Sequence, residues 1–277
     1  MAALAGFLGW SSHHTIVKVY DATVASLAAD GKPAPPNPFD TKPRLSLLAN
    51  MTIYVPLIGA LVAILIGHLA IVEDRAAGAG RLIFSRPVGR GRYLSGKLLG
   101  STLALVAIVA ACLVLSVLSL VIANGSLPGG SDFGRLVLFY VLSLAYLLLF
   151  TLIGMATALL TTVRSLSLLA AIGVWLVLTF AVPQVTSGLR PTASLNPVSE
   201  PVNTSQRFFA FTSHARPFSV TEQYKLASAR ILETAGPETA GRTLARVLPI
   251  VGLLGLSLLL AFGLVRRHDY AGEAAGA

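Results

Sequence analysis

Residues 73–97, EDRAAGAGRLIFSRPVGRGRYLSGK, lie between two long apolar runs. Six of the chain's 21 basic residues fall here: Arg75, Arg81, Arg86, Arg90, Arg92 and Lys97. A short, basic, Gly-punctuated stretch between two membrane spans is a cytoplasmic loop by the positive-inside rule. The loop is also patterned. The acidic pair Glu73-Asp74 opens it, the apolar patch Leu82-Ile83-Phe84 occupies its middle, and Arg86-Pro87 turns the chain. A passive connector has no need of an apolar patch, so the loop is read as a docking element for a soluble partner.

Working outward, the chain has 277 residues, 55% of them apolar and 12% charged. Soluble proteins carry about a quarter charged residues. Several apolar runs exceed about 18 residues, the length that predicts a transmembrane helix. The chain therefore reads as one all-α, polytopic membrane domain. The net charge of +9 is explained by basic residues flanking the membrane, and no basic stripe interleaved with aromatics points to nucleic acid. The one cysteine, Cys112, sits in an apolar run and can form neither an internal disulfide nor a metal cluster.

The apolar runs predict full spans at 47–72, 98–123, 136–160, 166–184 and 247–265. Met1 to Trp10 is apolar but reaches only about half a bilayer core as a helix. It reads either as the outer end of a first span whose beginning is missing, the favoured alternative, or as an interfacial anchor. Ser11 to Ser46 is polar and ends in the Pro-rich piece 32–38, which is expected to be extended and outside the bilayer. Pro56 is expected to kink the first full span, and His68 to sit at interface depth beside Glu73 and Asp74. Small residues at Gly100, Ala104, Ala107 and Ala111, and at Gly154 and Ala158, predict close helix contacts. The segment 185–246 is read as extracytoplasmic. Within it Ser219-Val-Thr-Glu222 fits a capping box, and Val220, Tyr224, Ala227 and Ile231 share one face of a helix over 219–235 stopped by Gly236-Pro237. That helix could cover a transport path, meet an external partner, or be a solvated lid. Lys and Arg are about twice as dense on the inner segments of this topology as on the outer ones. The C-terminus, preceded by Arg266-Arg267, is placed in the cytoplasm.

Some chemistry is excluded. Gly91-Arg-Tyr-Leu-Ser-Gly96-Lys97 mimics the start of a phosphate-binding loop, but Leu98 stands where Ser or Thr must hold magnesium, and a membrane span begins there. No zinc-protease, paired-Cys or nucleophile-elbow motif occurs. No acidic residue is expected in mid-membrane, where an ion-coupled transporter usually keeps one. Energy for transport is therefore expected from another subunit.

The loop resembles that of the permease subunits of type-2 ABC exporters. The matching residues are Glu73-Asp74, Gly78, Arg81-Leu82-Ile83-Phe84, Ser85-Arg86-Pro87-Val88-Gly89-Arg90 and Leu94-Ser95-Gly96-Lys97. Leu195-Asn196-Pro197 and the Arg266-Arg267-His268-Asp269 end are also similar. The nearest subgroup serves maturation of nitrous-oxide reductase, a multi-copper enzyme. The chain departs from the family in its short first span and in Gly78-Ala-Gly-Arg81, where members usually have Gly-Thr-Leu-(Glu/Asp). A second glycine weakens a coupling helix by about 1 kcal/mol, so that helix is expected to start at Arg81.

The resemblance implies a six-span fold, here five full spans and a stub, without catalytic, cofactor or metal residues. ATP and magnesium would belong to a separate ATPase subunit, and a second permease copy or homologue would complete the transporter in the plasma membrane of a prokaryote. Leu82, Ile83 and Phe84 would fill a groove on the ATPase, Arg81 and Arg86 would pair with its acidic rim, and Glu73 and Asp74 would hold the elbow of the span. Gly78 and Pro87 would shape the loop. Arg90, Arg92 and Lys97 are expected to meet anionic lipid. The competing reading is a membrane scaffold or assembly factor whose outer segment, 185–246, binds a secreted partner.

Overall fold

The computed structural model describes residues 2–31, 33, 43–76, 89–161, 163–187, 211–234 and 240–267. Those residues are almost entirely helical and contain no strand. Among the described residues nine helices follow in order: α1 Ala2–Ala29, α2 Met51–Tyr54, α3 Ala60–Ala76, α4 Arg90–Asn124, α5 Gly130–Leu160, α6 Arg164–Leu176, α7 Val182–Ser187, α8 Val220–Ile231 and α9 Ala240–Arg267. A 3-10 turn, Arg44–Leu48, precedes α2, and a π-helical turn, Val55–Gly59, joins α2 to α3. A second π turn, Val177–Ala181, joins α6 to α7, and a 3-10 turn, Ser213–Phe218, precedes α8.

Among the described residues five stretches are long and apolar enough to cross a membrane: Arg44–Asp74, Arg90–Ala123, Gly130–Leu160, Arg164–Thr186 and Gly241–Arg266. The protein is an all-α, polytopic membrane protein. Each span is longer than its apolar run because flanking polar residues join the same helix. The basic lead-in Arg90–Lys97 is already the first two turns of α4. It ends where Gly125, at φ 68°, adopts the left-handed conformation that closes a helix.

α5 is the centre of the bundle. α3, α9, α6, α4 and α8 all pack on it. The tightest crossing is with α3. A Cβ built on Gly67 would lie 2.8 Å from the Thr151 carbonyl carbon and nearer still to its oxygen; one on Gly154 would overlap the Ile64 carbonyl oxygen and lie 3.1 Å from the His68 nitrogen. In a lipid-filled environment apolar surface gains little by hiding, so such close backbone packing is what holds the helices together. Gly154 and Ala158 thus make the contact expected of them. Gly100, Ala104, Ala107 and Ala111 do not: all four are exposed on the outer face of α4. The α3–α5 crossing also carries His68 into the bundle, 1% exposed, with Nδ1 3.4 Å from Ser167 Oγ. It is a buried, hydrogen-bonded residue about two turns before the end of α3.

Pro56 produces a π turn in place of a simple kink. Its carbonyl accepts the indole N–H of Trp175 at 2.9 Å, so the two span segments that carry π turns are tied together.

Two expectations are corrected. The apolar start and the polar stretch after it are one helix, α1, which lies along α4 and the 44–48 turn. No proline or glycine interrupts residues 10–29, and Val17, Tyr20, Val24 and Leu27 form a half-buried stripe at helical spacing. Of the Pro-rich piece, all but Pro33 lies outside the described residues. Second, the helix of the 185–246 segment does not lie on the surface. α8 ends at Ile231 and is inserted among the spans, with Val220, Tyr224, Ala227 and Ile231 in the main core. Glu233, at φ 58°, takes the left-handed position of a Schellman closure, with the amide of Thr234 donating to Ala229 O and its own to Arg230 O. Glu233 also pairs with Arg135 near the start of α5. The described structure therefore has Glu222 buried within the bundle, 4% exposed, where no acidic residue was expected.

Candidate functional site

The ends of four helices meet where the 73–97 loop leaves and re-enters the bundle. Leu94, fully buried, packs with Ile71 and Val72 of α3, Leu152, Met155 and Leu159 of α5, and Ala261 and Val265 of α9. This apolar knot fixes the last turns of α3, α5 and α9 against the first turn of α4.

Polar contacts close the knot on its outside. The Asp74 carboxylate accepts the Tyr93 hydroxyl at 2.9 Å and the Lys97 ammonium at 2.7 Å. Lys97 also lies 5.9 Å from the centre of the Tyr93 ring. Tyr93 and Lys97 are one turn apart on α4, so both reach the same acceptor. Arg90 donates to the Arg266 carbonyl at 2.6 Å. That carbonyl is at the C-terminal end of α9, where helix carbonyls lack intrahelical donors and the helix dipole favours a cation.

Of the residues assigned to coupling from the sequence, Asp74 is thus the anchor of a three-residue clasp. Glu73 is exposed one position before it. Gly78, Arg81, Leu82, Ile83, Phe84, Arg86 and Pro87 lie outside the described residues. Tyr93 was missed, and Lys97 and Arg90 were given to lipid. A carboxylate at the end of one span and a Tyr-x-x-x-Lys turn at the start of the next was the available signal.

A second polar cluster lies deeper. Tyr146 of α5 and Tyr224 of α8 stack with ring centroids 4.5 Å apart. The Tyr146 hydroxyl is 2.9 Å from Thr221 Oγ1, and the Tyr224 hydroxyl is 2.8 Å from Ser143 Oγ. At 1.5 Å rise per residue, Tyr146 stands about 21 Å from the Leu160 end of α5. The N-terminus of α8 therefore reaches well into the span region from the end opposite the loop. The expected capping box does not form there. Glu222 Oε1 accepts Arg216 Nε at 2.6 Å, and the Ser219 amide donates to the Arg216 carbonyl. A charge-assisted bond to arginine outcompetes the reach back to a backbone amide.

Among the described residues no group of three or more His, Cys, Asp or Glu is placed to hold a metal ion. No curated protein matches the chain in sequence. Residues 12–270 match the family described as ABC-2 family transporter protein, whose members are in general the non-catalytic membrane part of a transporter. With that match covering most of the chain, and five described helices long and apolar enough to cross a membrane, the chain belongs to the ABC-2 family of transporter proteins, as a permease component of an ABC transporter that pairs with an ABC ATPase subunit.

Proposed function

We propose that the chain is the membrane subunit of an ATP-driven exporter in a prokaryotic plasma membrane, with the 73–97 loop and the C-terminus in the cytoplasm. The observation that carries this reading is the clasped root of the loop. A push on residues 77–88 reaches α3 through Asp74 and α4 through Tyr93 and Lys97. Through Leu94 it reaches α5 and α9 as well. One docking event can thus move four helices as a unit.

On this reading Leu82, Ile83 and Phe84 enter a groove of the ATPase, Arg81 and Arg86 face acidic residues on its rim, and Gly78 and Pro87 shape the turn between them. ATP and magnesium stay on the ATPase, and a second permease copy or homologue supplies the other half of the path. The loop's sequence supports a place in the nitrous-oxide reductase maturation subgroup. The alternative is a membrane scaffold whose outer segment, 185–246, binds a secreted partner; within that segment the helix Val220–Ile231 is packed inside the bundle.

The test is co-purification with a candidate ABC ATPase subunit, comparing wild type with the Ile83→Asp, Phe84→Asp double variant. The variant is expected to insert in the membrane, lose the ATPase and leave its hydrolysis unstimulated. Retained binding and stimulation would remove the loop from the mechanism.

A further inference from the structure

We propose that Trp175 is a positioning residue for transport: its indole holds the span 44–74 in a π register at Pro56, and withdrawal of α6 lets that span return to an α register and turn its outer end. This rests on the transport role argued above. Three observations carry it.

The first is the hydrogen-bond ladder at Pro56. In an α-helix the Ala60 amide would donate four residues back, to the Pro56 carbonyl. Here it donates five residues back, to Val55. The Pro56 carbonyl is passed over, and the indole N–H of Trp175 donates to it at 2.9 Å. Val55, Pro56 and Gly59 are buried, and so is Trp175. A buried carbonyl without a donor is costly, so the π register and the indole support each other.

The second is that the alternative lies one carbonyl away. If the indole leaves, the Ala60 amide need only move from Val55 to its neighbour for Pro56 to be satisfied again. Both registers serve this carbonyl, so the position of α6 decides between them. Pro56 has no amide to give to Thr52, and its ring crowds that carbonyl, which keeps the turn from settling as regular helix. The widened ring holds one residue more than an α turn. Its loss rotates the outer segment 44–54 by one residue's step, ~100°.

The third is that Trp175 stands beside the other π turn. There the Val182 amide donates five residues back, to Val177. The Trp175 ring lies edge-on to Phe180 of that turn, with centroids 5.7 Å apart. A bend of the α6–α7 span therefore moves the indole, and the indole sets the register of the other span. Elements with two discrete arrangements turn small shifts into large ones, and π turns recur at functional sites.

The rotation has a signature. Each side chain of the outer segment takes the direction of the residue before it. Leu45, 1% exposed, would point where exposed Arg44 points now, and half-buried Ser46 where Leu45 does. The experiment uses the full chain with Cys112→Ser and a single cysteine at Leu45, at Ser46 or, as control, at exposed Leu127. The probe is a membrane-impermeant methanethiosulfonate on purified protein in mild detergent. Trp175→Phe keeps a ring beside Phe180 and removes the N–H. In that background the cysteine at 45 is expected to gain reactivity and the one at 46 to lose it, with 127 constant. Pro56→Ala, which restores an amide to the α ladder, is expected to give the same exchange. An unchanged pattern in either folded variant, or a rise at both positions such as loosened packing gives, overturns the proposal. This arm needs no ATPase, so it reads the switch whatever the loop docks on. In the complex, ATP turnover is expected to produce the exchange with Trp175 and Pro56 in place. A resting pattern in a complex whose ATPase is stimulated removes the switch from transport and leaves the coupling role standing.

Discussion

Replacing Gly67 by alanine puts a methyl group into the backbone of the neighbouring helix. The added carbon would lie 2.8 Å from the Thr151 carbonyl carbon and 3.0 Å from its Cα. Carbon atoms rest about 3.5–4.0 Å apart, so α3 and α5 must separate by about 1 Å, which forfeits a quarter to a half of each dispersion contact along the crossing. Neither obstacle is the flexible end of a side chain. The cost is therefore at the upper end of the usual 1–3 kcal/mol for overpacking, about 2–3 kcal/mol. Gly154→Ala meets Ile64 in the same way and should cost a similar amount. The double variant should cost less than the sum, because the first methyl already opens the crossing. Gly100 and Gly252 have nothing within 4 Å of a built Cβ; alanine there should leave stability unchanged or raise it by up to about 1 kcal/mol, the helix-propensity gain. The assay is unfolding of the purified protein in mild detergent by added sodium dodecyl sulfate, read by circular dichroism. Gly67→Ala as stable as Gly100→Ala would refute the reasoning, since the crossing would then have no contact to lose.

The clasp predicts coupling between Asp74 and Lys97. A double-mutant cycle with Asp74→Asn and Lys97→Met should give about 1 kcal/mol for this partly exposed pair, and each single variant should weaken ATPase stimulation without abolishing insertion. A coupling near zero would mean that the Asp74–Lys97 pair contributes nothing to holding the loop root. Glu233→Gly relieves a non-glycine residue at φ 58° but loses the Arg135 pair; with relief worth about 1 kcal/mol and an exposed pair at most that, net stability should change little, while Glu233→Val should lose about 1–2 kcal/mol in the same unfolding assay. Burial pushes the Lys225 ammonium down to about 8, with Glu222 partly opposing. Its folded value lies below the unfolded one, so the folded state binds fewer protons between them. Wild-type stability should therefore rise from about pH 8 to pH 10 relative to Lys225→Met, and parallel pH profiles would show that Lys225 is not desolvated.

The five spans were legible because an apolar run of that length has one solution in a membrane, a helix with every backbone group bonded within itself. α1 was legible only as far as Trp10: beyond it most residues are polar, and the stripe of Val17, Tyr20, Val24 and Leu27 is only half-buried. α8 was visible as a helix but not as an inserted one. Its depth depends on Thr221 meeting Tyr146 and Tyr224 meeting Ser143, pairings 75 and 81 residues apart that no local pattern encodes. The same holds at the loop root. The Asp74 end of the loop was found from its charge, but its partners Tyr93 and Lys97 acquire their role only when α4 lies beside α3.

The knot around Leu94 also bears on how the protein is made. Ala261 and Val265 close one side of the Leu94 pocket, and the Arg266 carbonyl holds Arg90. All three belong to α9, the final helix among the described residues. A chain interrupted before α9 has its loop complete in sequence but rooted in an open pocket, free to tilt. The root of the 73–97 loop is thus closed only once α9 has joined the bundle, so its assembly waits on a helix whose Arg266 lies 176 residues beyond Arg90.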